Sequence, residues 1–239
     1  MPAAGPSDVL ELLTEGDIRP LGLMPRASNY TFLAEVGEGD RTVLAVYKPR
    51  RGETPLWDFP EGTLCNREVA AYELSRALGW PAVPPTVLRK GPMGEGSLQL
   101  FVEADPRQHF FTLRETGLDA FMPVATFDVV TNNADRKAGH CLLGEDERVW
   151  AIDHGVCFHA EPKLRTVLWD LAGHPLEAAD VADLEALAGE AAGGGLRERL
   201  AGLLAAEEVA AVAERALALA RAGRLPAPGS GRAYPWPLV

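Results

Sequence analysis

Apolar positions along this chain change regime near residue 104. Before it the pattern is mostly that of short strands. Apolar-rich runs over 30–36 and 42–47, joined by a turn at 37–40, predict a strand pair, and further strands follow at 86–89 and at 97–103, where Leu98, Leu100 and Val102 alternate with the other side chains. Two helices interrupt them. The first, 8–16, is capped by Ser7 or Asp8 and closed by Gly16; the second, 65–78, places Val69, Ala70, Leu74, Ala77 and Leu78 at helical spacing before Gly79. Residues 49–62 form a Pro- and Gly-rich loop, and 81–85 break the chain ahead of the third strand.

Beyond 104 the helical period dominates. Residues 110–131 are mostly helical, with Pro123 interrupting the helix or starting a second one. Short strands at 140–143 and 149–153 flank a turn, and the Ala-, Leu- and Glu-rich stretch 176–222 favours helices broken at Gly193, Gly194 and Gly195. From Pro226 the chain is rich in Pro and Gly, and an extended or mobile tail is expected. The organisation is therefore a β-rich lobe over 1–103, a helical lobe over 104–225 and a tail over 226–239, an α+β class.

Composition narrows the partners. At 239 residues, 47% of them apolar, the chain can bury a full core. No apolar run approaches the roughly 20 residues of a membrane span, and the N-terminus lacks the basic and apolar regions of a signal peptide. Cys65, Cys141 and Cys157 make no paired framework, which fits a reducing cytoplasm. A net charge of −11 without a long basic run argues against nucleic acid and against stable association with an anionic membrane. It leaves a nucleotide open, because a few local cations and a metal decide such a site.

Four segments concentrate the chemistry. Lys48 ends an apolar strand, and Glu68 sits near the start of the following helix. A Lys at a strand end can reach phosphates if a carboxylate from a packed helix holds it; the plainer reading is a solvated Lys and a Glu favoured by the helix dipole. Ser28, Asn29 and Tyr30 precede the first strand, where a hydroxyl and backbone N–H groups can meet anionic oxygens, although an ordinary turn accounts for them equally well. Asp135 lies in Asn132-Asn133-Ala134-Asp135-Arg136-Lys137, an acid that can accept a hydroxyl proton's hydrogen bond beside two cations that can offset phosphate charge; a polar turn is the alternative. Asp153 closes an apolar strand, where a carboxylate needs a cation, and Gly155 permits a sharp turn after it. The five His fall between 109 and 174, so a zinc or iron site of His140, Asp153 and His154 or His159 also stands open, without matching any metal-binding spacing signature.

Together Tyr47-Lys48-Pro49, Glu68 in the helix 66–74, Asn132-Asn133-Ala134-Asp135-Arg136 and Ile152-Asp153-His154-Gly155 resemble the phosphatidylinositol 3-/4-kinase-like branch of the protein-kinase-like fold. The likeness is nearest to short HipA-type kinases and type II phosphatidylinositol 4-kinases, and it covers roughly 25–175. It implies a two-lobed fold with ATP between a small β-rich lobe and a mostly helical one. It assigns Lys48 to the phosphates, Glu68 to Lys48, Asp135 to the acceptor hydroxyl, Asp153 to Mg²⁺ or Mn²⁺, and Leu100, Phe101, Val102 and Glu103 to the hinge beside the adenine. Arg136 or Lys137 adds charge stabilisation. Three departures stand out: His140 where the family usually carries a metal-binding Asn, no Gly-rich phosphate loop, and His154 after the second acid.

The reading that follows is an ATP-dependent phosphotransferase acting on a hydroxyl, with a protein Ser/Thr or a small polar or inositol-type alcohol as acceptor. Its rivals are a nucleotide-binding pseudokinase and a metal-dependent hydrolase built on the His/Asp cluster, with nucleotidyl transfer a further variant. The tail also offers a surface for a protein partner.

Overall fold

A computed structural model describes residues 6–25, 29–39, 41–80 and 82–239; Ser28, and the Asp40 and Pro81 of the predicted turn and break, lie outside them. The elements run α1 (Pro6–Glu15), β1 (Ile18–Leu23), β2 (Phe32–Glu38), β3 (Arg41–Pro49), α2 (Leu64–Leu78), β4 (Thr86–Gly91), β5 (Gly94–Leu100), α3 (Phe110–Gly117), α4 (Met122–Thr131), β6 (Cys141–Leu143), β7 (Val149–Ala151), α5 (Ala178–Gly193), α6 (Gly195–Ala201) and α7 (Ala206–Ala222). Among the described residues β1 to β5 form one antiparallel sheet in the order β1-β2-β3-β5-β4, and β6 pairs with β7. The architecture is α+β and two-lobed, a small sheet lobe against a helical one.

Alternation decides the sheet's inner face. Ala34, Val36, Ala45, Tyr47 and Leu98 are buried together with Val9 and Leu13 of α1, which forms the other wall of this small core. The larger core lies in the helical lobe, and α2 belongs to it by packing. Its Ala70, Ala71, Leu74 and Leu78 join Leu184, Leu187, Val212 and Leu219 of α5 and α7. The helix ends where Gly79 takes a left-handed φ of 72°, a conformation that costs glycine nothing. A helix inserted between two strands of one lobe is thus packed against both lobes.

Two expectations are corrected. Strand β1 lies where no strand is predicted: Pro20 and Gly22 are poor strand formers, and a register shift falls between them. All but the first of its residues are exposed, so no alternation marks it. The tail after Pro226 carries no regular element, as its composition implies, but it is docked. The Ala138 N–H donates to Leu238 O at 2.8 Å, and the Thr166 N–H donates to Ala233 O at 3.1 Å. Backbone pairing holds this segment, and side-chain periodicity cannot reveal it.

Arg67 fastens α2 to the helical lobe. Only 1% exposed, it donates to Cys157 O and to Glu208 Oε1 of α7, each at 2.7 Å, and its guanidinium stacks over the Phe59 ring. Breaking a buried pair strands a charge, at a cost of about 3–5 kcal/mol. Chemical denaturation of Arg67→Ala is expected to show a loss of that order, partly recovered in Arg67→Met with Glu208→Leu. A loss under about 1 kcal/mol for Arg67→Ala would show that the brace is unimportant.

Candidate functional site

The end of β3 is held tightly against β5. Lys48 pairs with Ser97, and a Cβ on the adjoining Gly96 would lie 2.3 Å from Lys48 O, so only glycine permits the approach. The Lys48 side chain then leaves the sheet toward α2. Its ammonium hydrogen-bonds Glu68 Oε1, and it donates to Asp153 Oδ1 at 2.9 Å. The second oxygen of Glu68 accepts the His154 N–H at 3.0 Å. The N-terminus of α2 is itself capped by Glu53, whose carboxylate accepts the Leu64 and Cys65 N–H groups at 3.1 and 2.8 Å.

Asp153 reaches Lys48 because of its backbone. It adopts φ 62°, a left-handed conformation that Asp tolerates better than bulkier residues do. The sharp turn therefore sits at Asp153 and not at Gly155, which is a correction to the sequence reading. Gly155 serves packing instead: a Cβ there would come within 3.4 Å of Leu64 on α2.

These residues surround a cavity of about 770 Å³ between the lobes. Of the sequence-derived candidates, Asn29, Tyr30, Lys48, Glu68, Phe101, Val102, Asp135, His140 and Asp153 line it. Val46 and Leu100 from the sheet, with Leu142 and Ile152 from the helical lobe, give it an apolar portion. Glu103 and Lys137 are not among its lining residues, and Ser28 lies outside the described residues. Lys137 instead holds Asp135, Nζ to Oδ2 at 2.7 Å.

Arg136 is the clearest departure from expectation. Its side chain is fully buried and faces the protein interior. It donates to both oxygens of Asp128 at 3.0–3.1 Å through Nε, and to His140 O and Ile152 O at 3.1 and 2.8 Å through Nη1. This guanidinium therefore ties the Asp135 loop to α4 and to the strand leading into Asp153. Asp128, which also accepts from Asn133 Nδ2 at 3.0 Å, went unread in the sequence. The available signal was an acid inside the apolar run of α4, where a carboxylate is tolerated only with a buried cation.

The histidines do not form a metal cluster. His154 is buried edge-on against Phe127, with Nε2 2.8 Å from Arg136 Nη2. Arg can only donate, so that nitrogen accepts and the ring is neutral. His159 packs against Phe59, and its Nδ1 accepts the Glu161 N–H at 3.0 Å. Among the described residues no group of three or more His, Cys, Asp or Glu side chains is placed to cage a cation. The His/Asp hydrolase site is therefore not assembled.

Electrostatics follow from burial and pairing. Lys48 lies beside Asp153, which is held well below the usual carboxylate range. Burial would depress the Lys48 ammonium, but Asp153 and Glu68 outweigh it and raise it. Burial pushes Glu68 and Asp135 upward. Burial also lowers His140 to about 4, with Asp153 opposing. His140 Nε2 lies 3.2 Å from Asp153 Oδ2. A neutral ring whose Nδ1 accepts the Lys137 N–H at 3.4 Å presents Nε2–H to that oxygen.

The protein Rv2133c of Mycobacterium tuberculosis is 42% identical, over 95% of this chain and 94% of its own length. This chain belongs to the Rv2133c family. No protein-family model matches it. A segment covering 41% of this chain is 37% identical to phosphatidylinositol 4-kinase gamma 4 of Oryza sativa subsp. japonica, but spans only 20% of that protein. Among solved structures, the Golgi casein kinase with Mn/ADP bound superposes with a TM-score of 0.58 at 15% identity, over 90% of this chain and 74% of that one. A hydra Fam20 with sugar gives 0.57 at 16%, over 90% and 86%. The Helicobacter pylori proinflammatory kinase CtkA gives 0.51 at 12%, over 88% and 93%. These likenesses establish a kinase-like fold.

The imidazole of His140 carries a testable consequence. A histidine lowered from 6.5 to about 4 favours the folded state fully above pH 6.5 and loses that contribution as pH falls toward 4. An NMR titration of the ring protons should place the His140 midpoint near 4. A midpoint at or above the ordinary 6.5 would contradict the buried, neutral ring.

Proposed function

We propose that this cleft binds ATP with a divalent cation and transfers the γ-phosphoryl group to a hydroxyl acceptor. The observation that carries the reading is the Lys48 ammonium shared by Glu68 and Asp153 at the wall of a cavity that Asp135 also lines. One cation against two carboxylates leaves that trio with a net negative charge, which a metal ion suits. The likeness in sequence to the rice phosphatidylinositol 4-kinase segment, and the order of the four motifs, support placing the chain in the phosphatidylinositol 3-/4-kinase-like branch. The Golgi casein kinase solved with Mn/ADP supports nucleotide and metal as ligands of this fold.

The donors fit Mg²⁺ or Mn²⁺. Asp153 and Asp135 offer hard carboxylate oxygens to one cavity, and such ions are commonly held by one or two carboxylates together with phosphate oxygens and water. His140 fits less well as a ligand, because Nε2–H is already directed at Asp153. We assign it to orienting Asp153. When bound, the metal would neutralise phosphate charge and polarise the transferring group.

The chain's own residues divide the remaining work. Val46, Leu100, Leu142 and Ile152 supply apolar walls for a base, beside Phe101 and Val102. Lys48, held by Glu68, offers its charge to phosphate oxygens, and Asn29 and Tyr30 line the same cavity. Asp135, fixed by Lys137 and by its own N–H on Asn133 Oδ1, orients the acceptor hydroxyl and receives its proton's hydrogen bond. The division into 1–103, 104–225 and 226–239 then separates a roof over the nucleotide, a floor carrying both acids, and a tail along that floor.

Transfer to an acceptor, or to water, is assayed with γ-labelled ATP. Asp135→Asn and Asp153→Asn are each expected to lower the rate by about 10²–10³, the loss typical when one electrostatic group is removed, while the far-UV melting curve stays cooperative. Full activity in either variant removes the mechanism. Saturable ATP binding without turnover in the unmodified protein would instead favour the nucleotide-binding pseudokinase.

A further inference from the structure

Two carboxylates about the 132–137 loop already have cations of their own. Asp135 pairs with Lys137 at 2.7 Å, and Asp58 pairs with Lys163 at 3.0 Å. Two arginines beside them have no such match: among the described residues Arg165 and Arg232 form no ion pair. Arg165 makes no side-chain hydrogen bond, and Arg232 donates only to Tyr234 O at 3.3 Å. Neither charge is therefore matched within the described residues, in a chain whose net charge is −11.

The backbone brings them to the same place. Arg165 straddles Asp135: its N–H donates to Asn133 O at 2.8 Å, and its carbonyl accepts the Arg136 N–H at 3.0 Å. The next residue, Thr166, donates to Ala233 O at 3.1 Å, and the Trp169 indole donates to the same carbonyl at 2.8 Å. Arg165 and Arg232 therefore directly precede two residues joined by a backbone hydrogen bond. Leu238 O, accepting the Ala138 N–H at 2.8 Å, carries the tail on along the far side of the Asp135 loop. Burial pushes the Asp135 carboxyl up, Lys137 opposes this, and the Arg232 charge reaches far enough to oppose it too.

We propose that Arg165 and Arg232 form an anion subsite beside Asp135, that the hydroxyl acceptor carries a phosphate group, and that the C-terminal segment completes the acceptor site. Two guanidinium forks balance a phosphate dianion and match its oxygens, whereas one carboxylate would leave a cation over. Like charges at neighbouring positions repel in the empty site, and an anion between them relieves this. The inference rests on Asp135 facing the acceptor.

The test titrates inorganic phosphate into the full chain, with and without excess ADP, followed by calorimetry. Arg165→Gln and Arg232→Gln are each expected to weaken phosphate binding about tenfold, the effect of losing one charge-assisted hydrogen bond. Arg221→Gln, an exposed position on α7, should leave it unchanged. Absence of phosphate binding, or equal binding in all three variants, overturns the subsite. ADP affinity, measured on the same samples, separates the two readings. Phosphate binding that depends on both arginines in a protein without affinity for ADP keeps the subsite and removes ATP-dependent transfer.

Discussion

The Lys48 ammonium meets carboxylates that arrive from far along the chain, Glu68 on α2 and Asp153 just beyond β7. None of the three charges is stable alone in a partly dry cleft, since a buried charge without a partner costs several kcal/mol. They are tolerable together, and only if β3, α2 and the strand end before Asp153 are all in place. The geometry of the cleft is thereby tied to the folding of both lobes. The left-handed backbone at Asp153 fits the same constraint, because it turns the carboxylate to the ammonium.

Two further buried cations keep that arrangement rigid. Arg67 joins α2 to α7 and to the segment after Asp153, so the helix that presents Glu68 cannot swing without exposing a guanidinium. Arg136 joins α4, the Asp135 loop and the strand before Asp153 through Asp128 and two carbonyls. The two acids proposed for chemistry thus sit at the ends of a frame whose polar groups satisfy one another. Such a frame favours a cleft that is assembled before any ligand enters, which suits catalysis by positioning and fixed charge.

Much of this was legible in the chain because it rests on local rules. Apolar runs on either side of the 37–40 turn marked β2 and β3, helical spacing and Gly79 marked α2, and an acid at the end of an apolar strand marked Asp153. Other features obey rules that single positions do not display. Arg136 looks like a cation for the cleft because it adjoins Asp135, yet successive residues on an extended loop point in opposite directions, and its partner Asp128 lies on another element. Strand β1 is held by pairing with β2 despite Pro20 and Gly22. The tail is fixed by backbone bonds from Ala233 and Leu238, which no side-chain pattern encodes.

The central claim is that metal and nucleotide meet at Asp153. Paramagnetic broadening of histidine ring signals by Mn²⁺, recorded with and without a non-hydrolysable ATP analogue, addresses it without requiring turnover. The account predicts strong, nucleotide-dependent broadening of His140, whose ring touches Asp153, while half-buried His174 stays sharp. Unchanged His140 signals, or broadening of His174 to the same degree, would contradict it.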